Sequence, residues 1–173
     1  MLIDVKPLPG YQEPYGLLCA ILQDGTREWR WEIDPGLSPE AIVWQPYPGA
    51  HSIGAVIFHM IGAEVFWFER FALGREADPE EQRLIMAGEM DIDAWRWPSP
   101  PRQPLSWYFD LQDRIRARTL ESIKRWPSPE TSNEHHGDQK TMRYVLGHVI
   151  QHEAYHAGQA VLLSRLWQLS KEN

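Results

Sequence analysis

A single cysteine, Cys19, leaves no partner for an intrachain disulfide and excludes a thiolate cage for a metal. It stands among Leu17, Leu18, Ala20 and Ile21, where a small buried hydrophobe is expected. Basic residues are also short: 17 Lys and Arg face 24 Asp and Glu, for a net charge of −7. A chain of that sign gains nothing from the phosphate field, so nucleic acid is not an expected partner. No apolar run approaches the ~18 residues of a membrane span, so no membrane partner is expected either. The start, Met-Leu-Ile-Asp-Val-Lys-Pro, lacks the basic and apolar regions of a secretion signal, which makes the cytoplasm the expected location. Alternation of apolar and polar residues at period two is missing, and with it any sign of a sheet.

Helical periodicity is present instead. With 43% hydrophobic and 24% charged residues, the composition fits one globular domain over residues 1–173. Four segments carry three- and four-residue apolar steps. The first covers residues 14–33, with Tyr15, Leu18, Leu22, Trp29 and Ile33 on one side and a weak point at Gly25. The second covers 52–73 and is rich in small residues, Gly54, Ala55, Gly62 and Ala63, which suits close packing. The third covers 105–126, with Tyr108, Leu111, Ile115, Thr119 and Ile123 in line and Pro127 as its stop. The fourth covers 141–169.

Between them lie Pro- and Gly-rich connections. Residues 35–51 form a loop with one short helical turn at 38–40, and residues 127–140 are polar and turn-like. Residues 75–103, with a short helix predicted over 79–90, form a connection long enough to cross over or to cover a site. Such a crossover lets the third helix run parallel to the second.

The chemistry lies in the histidines. His152 and His156 are four residues apart, one turn on the same helix face. At about 100° per residue both fall within roughly 20° of the apolar stripe through Val145 and Leu163, so they point inward. Buried imidazoles need partners. A shared metal satisfies both, and so do ordinary core hydrogen bonds. His59 tips the balance, because its helix face holds Ala55, Ala63 and Phe66 and also points inward. Three inward histidines from two helices fit a metal site with open positions. Neutral imidazole binds divalent transition ions, and zinc or nickel is expected.

His148 lies one turn before His152, on the flank of the stripe, and stays outside the ligand set. His51, His135 and His136 read as solvated loop residues. Glu153, Tyr155 and Glu64 are expected at the rim or surface. Gln159, close to the site line, either orients a ligand or packs. No catalytic residue is assigned.

The string His152-Glu153-Ala154-Tyr155-His156 matches HExxH, in which Glu is the general base of zinc peptidases. Those enzymes take a third ligand downstream. Here the 17 residues after His156 hold no His and one acidic residue, Glu172. A peptidase is therefore disfavoured, and the general-base role of Glu153 with it.

Two blocks carry a family resemblance. Leu37-Ser38-Pro39-Glu40, Trp44 and His51-Ser52-Ile53-Gly54 leading to His59 are similar to the loop and second helix of the DinB/YfiT-like metalloenzymes. His148-Val149-Ile150-Gln151-His152-Glu153-Ala154-Tyr155-His156-Ala157-Gly158-Gln159 resembles their final-helix signature. The resemblance covers about residues 12–169. It implies an all-α, up-down-down-up four-helix bundle, with the long crossover between the second and third helices. It also implies a three-histidine metal site at His59, His152 and His156. Many members carry Arg after the last ligand, where this chain has Ala157. Some relatives transfer low-molecular-weight thiols such as bacillithiol or mycothiol.

The implied activity is a metal-dependent thiol S-transferase, with a small thiol and an electrophile as partners. A metal-dependent hydrolase and a non-catalytic, stress-related metal-binding protein are the alternatives. Pairing in the family and the nine tryptophans imply a homodimer.

Overall fold

The computed structural model describes residues 3–86, 89–91 and 93–172 and is mostly helical. Tyr15, Cys19, Leu22, Thr26 and Trp29 form the buried face of α1 (Tyr15–Trp31). Gly25 does not break it, because Leu22 and Trp29 on either side are both held in the core. A short α2 (Pro39–Val43) begins where the Ser38 hydroxyl accepts the Ala41 N–H at 3.4 Å. Ser52 does the same for Ala55, at 3.3 Å, and starts α3 (Ile53–Val65). The helix continues as a π-helical turn, Phe66–Phe71. Such turns are rare and cluster at functional sites.

Three more helices follow: α4 (Pro79–Met86), α5 (Leu105–Ile123) and α6 (Met142–Glu172). The helix predicted to reach residue 90 ends as α4; residues 87 and 88 lie outside the described residues, and Glu89 and Met90 are not helical. Along α5 the predicted stripe of Tyr108, Leu111, Ile115, Thr119 and Ile123 is buried.

The expected absence of a sheet is overturned between α5 and α6. β1 (Ser132–His135) and β2 (Asp138–Thr141) form an antiparallel hairpin, pairing Ser132 with Thr141 and His135 with Asp138. His136 and Gly137 make its turn with φ of 52° and 85°. Both values are left-handed, as a tight two-residue hairpin turn requires. None of the strand residues is fully buried, so neither face needed apolar residues and no alternation was there to read.

Helix α3 is buried almost all round because it packs against α2, α4, α5 and α6, while α1 lies along α6. The core forms two clusters. One holds Trp29, Ile61, Ile115 and Ala157. The other holds Leu22, Phe68, Leu120 and Val149. Between them, at one level of α1, α3, α5 and α6, sit Thr26, Glu64, Arg116 with Thr119, and Glu153, all buried. No helix among the described residues is long and apolar enough to cross a membrane.

Candidate metal centre

The packing of α3 on α6 brings His59 against the one-turn pair His152 and His156. All three are partly buried. His59 Nε2 and His152 Nε2 are 3.0 Å apart. The ring centroids of His156 lie 4.6 Å from His59 and 4.4 Å from His152. One ring nitrogen of each residue lies within 4.8 Å of the other two, a group that could hold a metal ion.

The outer nitrogens are engaged. His59 Nδ1 faces Glu89 Oε2 at 3.2 Å, and His156 Nδ1 bonds Gln159 Oε1 at 2.8 Å. A carboxylate or amide oxygen on the far nitrogen fixes the ring and leaves Nε2 as the ligand atom. Gly62 leaves room beside the Glu89 carboxylate. A Cβ there would meet Glu89 Oε1 and Ile85 Cγ2, both at 2.9 Å. The small residues of the second helix thus serve close approach by the crossover segment.

Protonation favours ligation. Burial pushes the His152 pKa down to about 3, and repulsion by a protonated His156, His59 or His148 adds to it. Burial also lowers His156, against an upward pull from Gln159. Neutral imidazole is the metal-binding form. The donor set of three imidazoles fits a divalent ion and leaves positions open for a further ligand.

A family model described as Mycothiol-S-transferase matches residues 17–166. The chain belongs to that family. This agrees with the DinB/YfiT-like resemblance of its two sequence blocks. No curated protein matches the chain.

In this member of the mycothiol-S-transferase family, the two glutamates expected at the rim or surface lie inside. Glu153 and Glu64 are 5% and 1% exposed, on either side of Arg116. The Arg116 Nε donates to both oxygens of Glu64, at 2.9 and 3.0 Å, and its Nη2 donates to Glu153. Thr26 and Trp29 donate to the other Glu153 oxygen, and Thr119 donates to Glu64. Burial alone would lower the Arg116 pKa, but the charges of Glu64 and Glu153 outweigh it and raise it. Glu153 therefore has both oxygens occupied and none free as a peptidase base. A wheel gives the direction of a side chain but not what faces it, and here Arg116 makes an inward carboxylate tolerable.

Two of the loop histidines, His51 and His135, are partly buried rather than solvated, while His136 is exposed. His51 packs on Trp97 with ring centroids 4.5 Å apart, and burial lowers its pKa. His135 lies in β1, edge-on to Trp67 at 5.0 Å. His136 forms the hairpin turn. His148 stacks on Tyr144 and lies outside the group of three. Tyr155 is exposed, and Gln159 Oε1 faces His156 Nδ1 at 2.8 Å. Sequence reasoning missed Glu89 and Trp97, which meet His59 from the crossover. The only sequence signals for that contact were the length of the connection and the glycine at 62.

Proposed function

We propose that His59, His152 and His156 hold one divalent transition ion, zinc or nickel, in a metal-dependent S-transferase that uses a low-molecular-weight thiol of the mycothiol kind. The convergence of three imidazole nitrogens, two of them 3.0 Å apart, carries this reading. When bound, such an ion lowers the pKa of a neighbouring thiol from about 8.5 toward neutrality.

The chain's own residues prepare the site. Glu89 and Gln159 orient the rings of His59 and His156. Burial keeps His152 unprotonated. The nucleophile comes from outside, since the only cysteine is buried and its thiol is pushed up to about 12 by that burial. In the overall reaction the thiol sulfur bonds the electrophilic carbon. The thiol proton goes to solvent, and the leaving group departs with its electron pair.

The test is metal analysis of untagged protein, followed by conjugation of mycothiol to monochlorobimane with and without the metal. One equivalent of metal and metal-dependent product are expected. Equal rates with and without metal would favour the non-catalytic reading, and metal-dependent hydrolysis without conjugation would favour a hydrolase.

The same proposal covers the architecture. Helices α1 and α6 pass from the Leu22 cluster to the Trp29 cluster, while α3 with its π-helical turn and α5 pass the other way. That order supports an up-down-down-up four-helix bundle. Exposed Ile21, Leu162, Leu166 and Leu169 supply apolar surface for a homodimer, to be tested by mass in solution. A cytoplasmic setting, where small thiols stay reduced, fits the reading.

A further inference from the structure

A cavity of about 430 Å³ runs from the histidine cluster to the π-helical turn. Its size is within the range of about 300–1,000 Å³ typical of small-molecule sites. His59 and His152 line it, with the Glu89 carboxylate 3.2 Å from His59 Nδ1. Arg70 lines it too, and also lines an open groove beside the β1–β2 hairpin. Arg70 stands about three turns after His59, roughly 15 Å at the rise of a helix. On α6, His148 stands one turn before His152 and meets Trp67 edge-on at 5.0 Å, so the cavity follows both helices away from the cluster. Ala63, Phe66, Trp67, Ile85 and Met86 form the wall along the way.

We infer that this cavity takes a carboxylate with a small apolar or aromatic body. The guanidinium of Arg70 grips the carboxylate, the wall of Phe66, Trp67 and Ile85 holds the body, and the far end of the ligand faces the histidines. In the transferase reading, on which this assignment of its role rests, that acid is the electrophile.

Charge sets the direction. Among the described residues of the wall, Arg70 is the one arginine or lysine. Its ion pair with Glu76 is 3.7 Å long, and the two side chains are 55% and 73% exposed. Such a pair contributes little. The guanidinium is therefore available to an incoming carboxylate, to which it donates two parallel hydrogen bonds. Neighbouring carboxylates are engaged elsewhere. Arg118 donates to both oxygens of Glu69, at 2.7 and 3.1 Å, and Glu134, in the hairpin groove, accepts the Gly137 N–H. At the cluster end, the Glu89 carboxylate repels an acid held the other way round. His148 and Gln82, the remaining polar groups of the wall, can bond substituents on the body.

The π-helical turn creates this arrangement. Phe68 and Glu69 point into the core, 0% and 2% exposed, which leaves Phe66, Trp67 and Arg70 on the cavity side. The aromatic pair then offers ring faces and edges to the body of the ligand.

A bound divalent ion also attracts carboxylates, so the deciding measurement uses metal-free protein. 4-Methylbenzoate and 4-methylbenzamide differ in charge and little in shape. By calorimetry the benzoate should bind once per chain and at least about tenfold tighter than the amide. Arg70→Met should erase that preference and leave the amide unchanged, while Arg70→Lys should keep part of it. Arg70 is exposed and its ion pair is weak, so both variants should fold. Ala63→Leu and Met86→Trp, which fill the cavity, should weaken both probes. No binding of the benzoate, equal binding of acid and amide, or a benzoate indifferent to Arg70→Met would overturn the site. So would a benzoate indifferent to both cavity-filling variants, since it would then sit in the hairpin groove.

Zinc-loaded protein with mycothiol then compares 4-(chloromethyl)benzoate with 4-(chloromethyl)benzamide. In each, the sulfur–carbon bond forms as the carbon–chlorine bond breaks. Chloride leaves with its electron pair, and the thiol proton passes to solvent. Relative to the uncatalysed rates, kcat/KM should favour the benzoate by about the same factor, through KM, and Arg70→Met should remove that advantage alone. Equal kcat/KM for the two would overturn the role as electrophile site. Loss of the transferase reading looks different: the benzoate still depends on Arg70 in metal-free protein, yet neither chloride is conjugated.

Discussion

The Nε2 atoms of His59 and His152 lie 3.0 Å apart, so at most one of the two can carry a proton. Metal-free, one ring donates to the other; with an ion, both present lone pairs. His59→Ala, His152→Ala and His156→Ala are each expected to abolish stoichiometric metal binding. His135→Ala and His136→Ala should keep one equivalent, because neither belongs to the cluster. Metal content after exhaustive dialysis decides between these outcomes.

Glu89 supports His59 from outside the cluster. Loss of such a partner typically costs about 10–100-fold in metal affinity. Glu89→Ala should fall in that range in a chelator competition with the fold unchanged by circular dichroism. An unchanged affinity would make Glu89 a bystander.

Arg116 holds Glu64 of α3 and Glu153 of α6, the two helices that carry the histidines. Removing one member of a buried ion pair strands a charge, at a cost of about 3–5 kcal/mol. Arg116→Met should show that loss in urea unfolding. The triple change Glu64→Gln, Arg116→Met, Glu153→Gln removes the stranded charges and should recover much of it.

The pKa of His152 is about 3 in the folded protein, against 6.5 for the free side chain. Below about 6.5 the unfolded chain takes up a proton that the folded one refuses. The stability that depends on neutral His152 is therefore complete above that pH and is lost as pH falls toward about 3. Urea midpoints of metal-free protein between pH 7.5 and 5 should fall, and less steeply in His152→Asn. Metal affinity should drop in the same direction, since protons compete for the ring nitrogen.

Cys19→Ser should retain metal binding and conjugation, because its buried thiol is not the nucleophile. Activity lost at unchanged metal content and fold would identify a protein nucleophile instead.

The sequence by itself determined the long helices and the inward aim of His59, His152 and His156, because helical period and apolar spacing are local properties. It also marked the crossover as unusual by its length. Tertiary structure alone decided what faces those side chains. The carboxylate that meets His59 comes from Glu89 in the crossover, 30 residues away. Arg116, placed between Glu64 and Glu153, makes two buried carboxylates tolerable that a wheel puts at the rim. The polar hairpin of β1 and β2 was invisible because its strands never needed an apolar face. For Glu89 and Arg116 the deciding energy comes from a partner distant in sequence, and no local pattern records it.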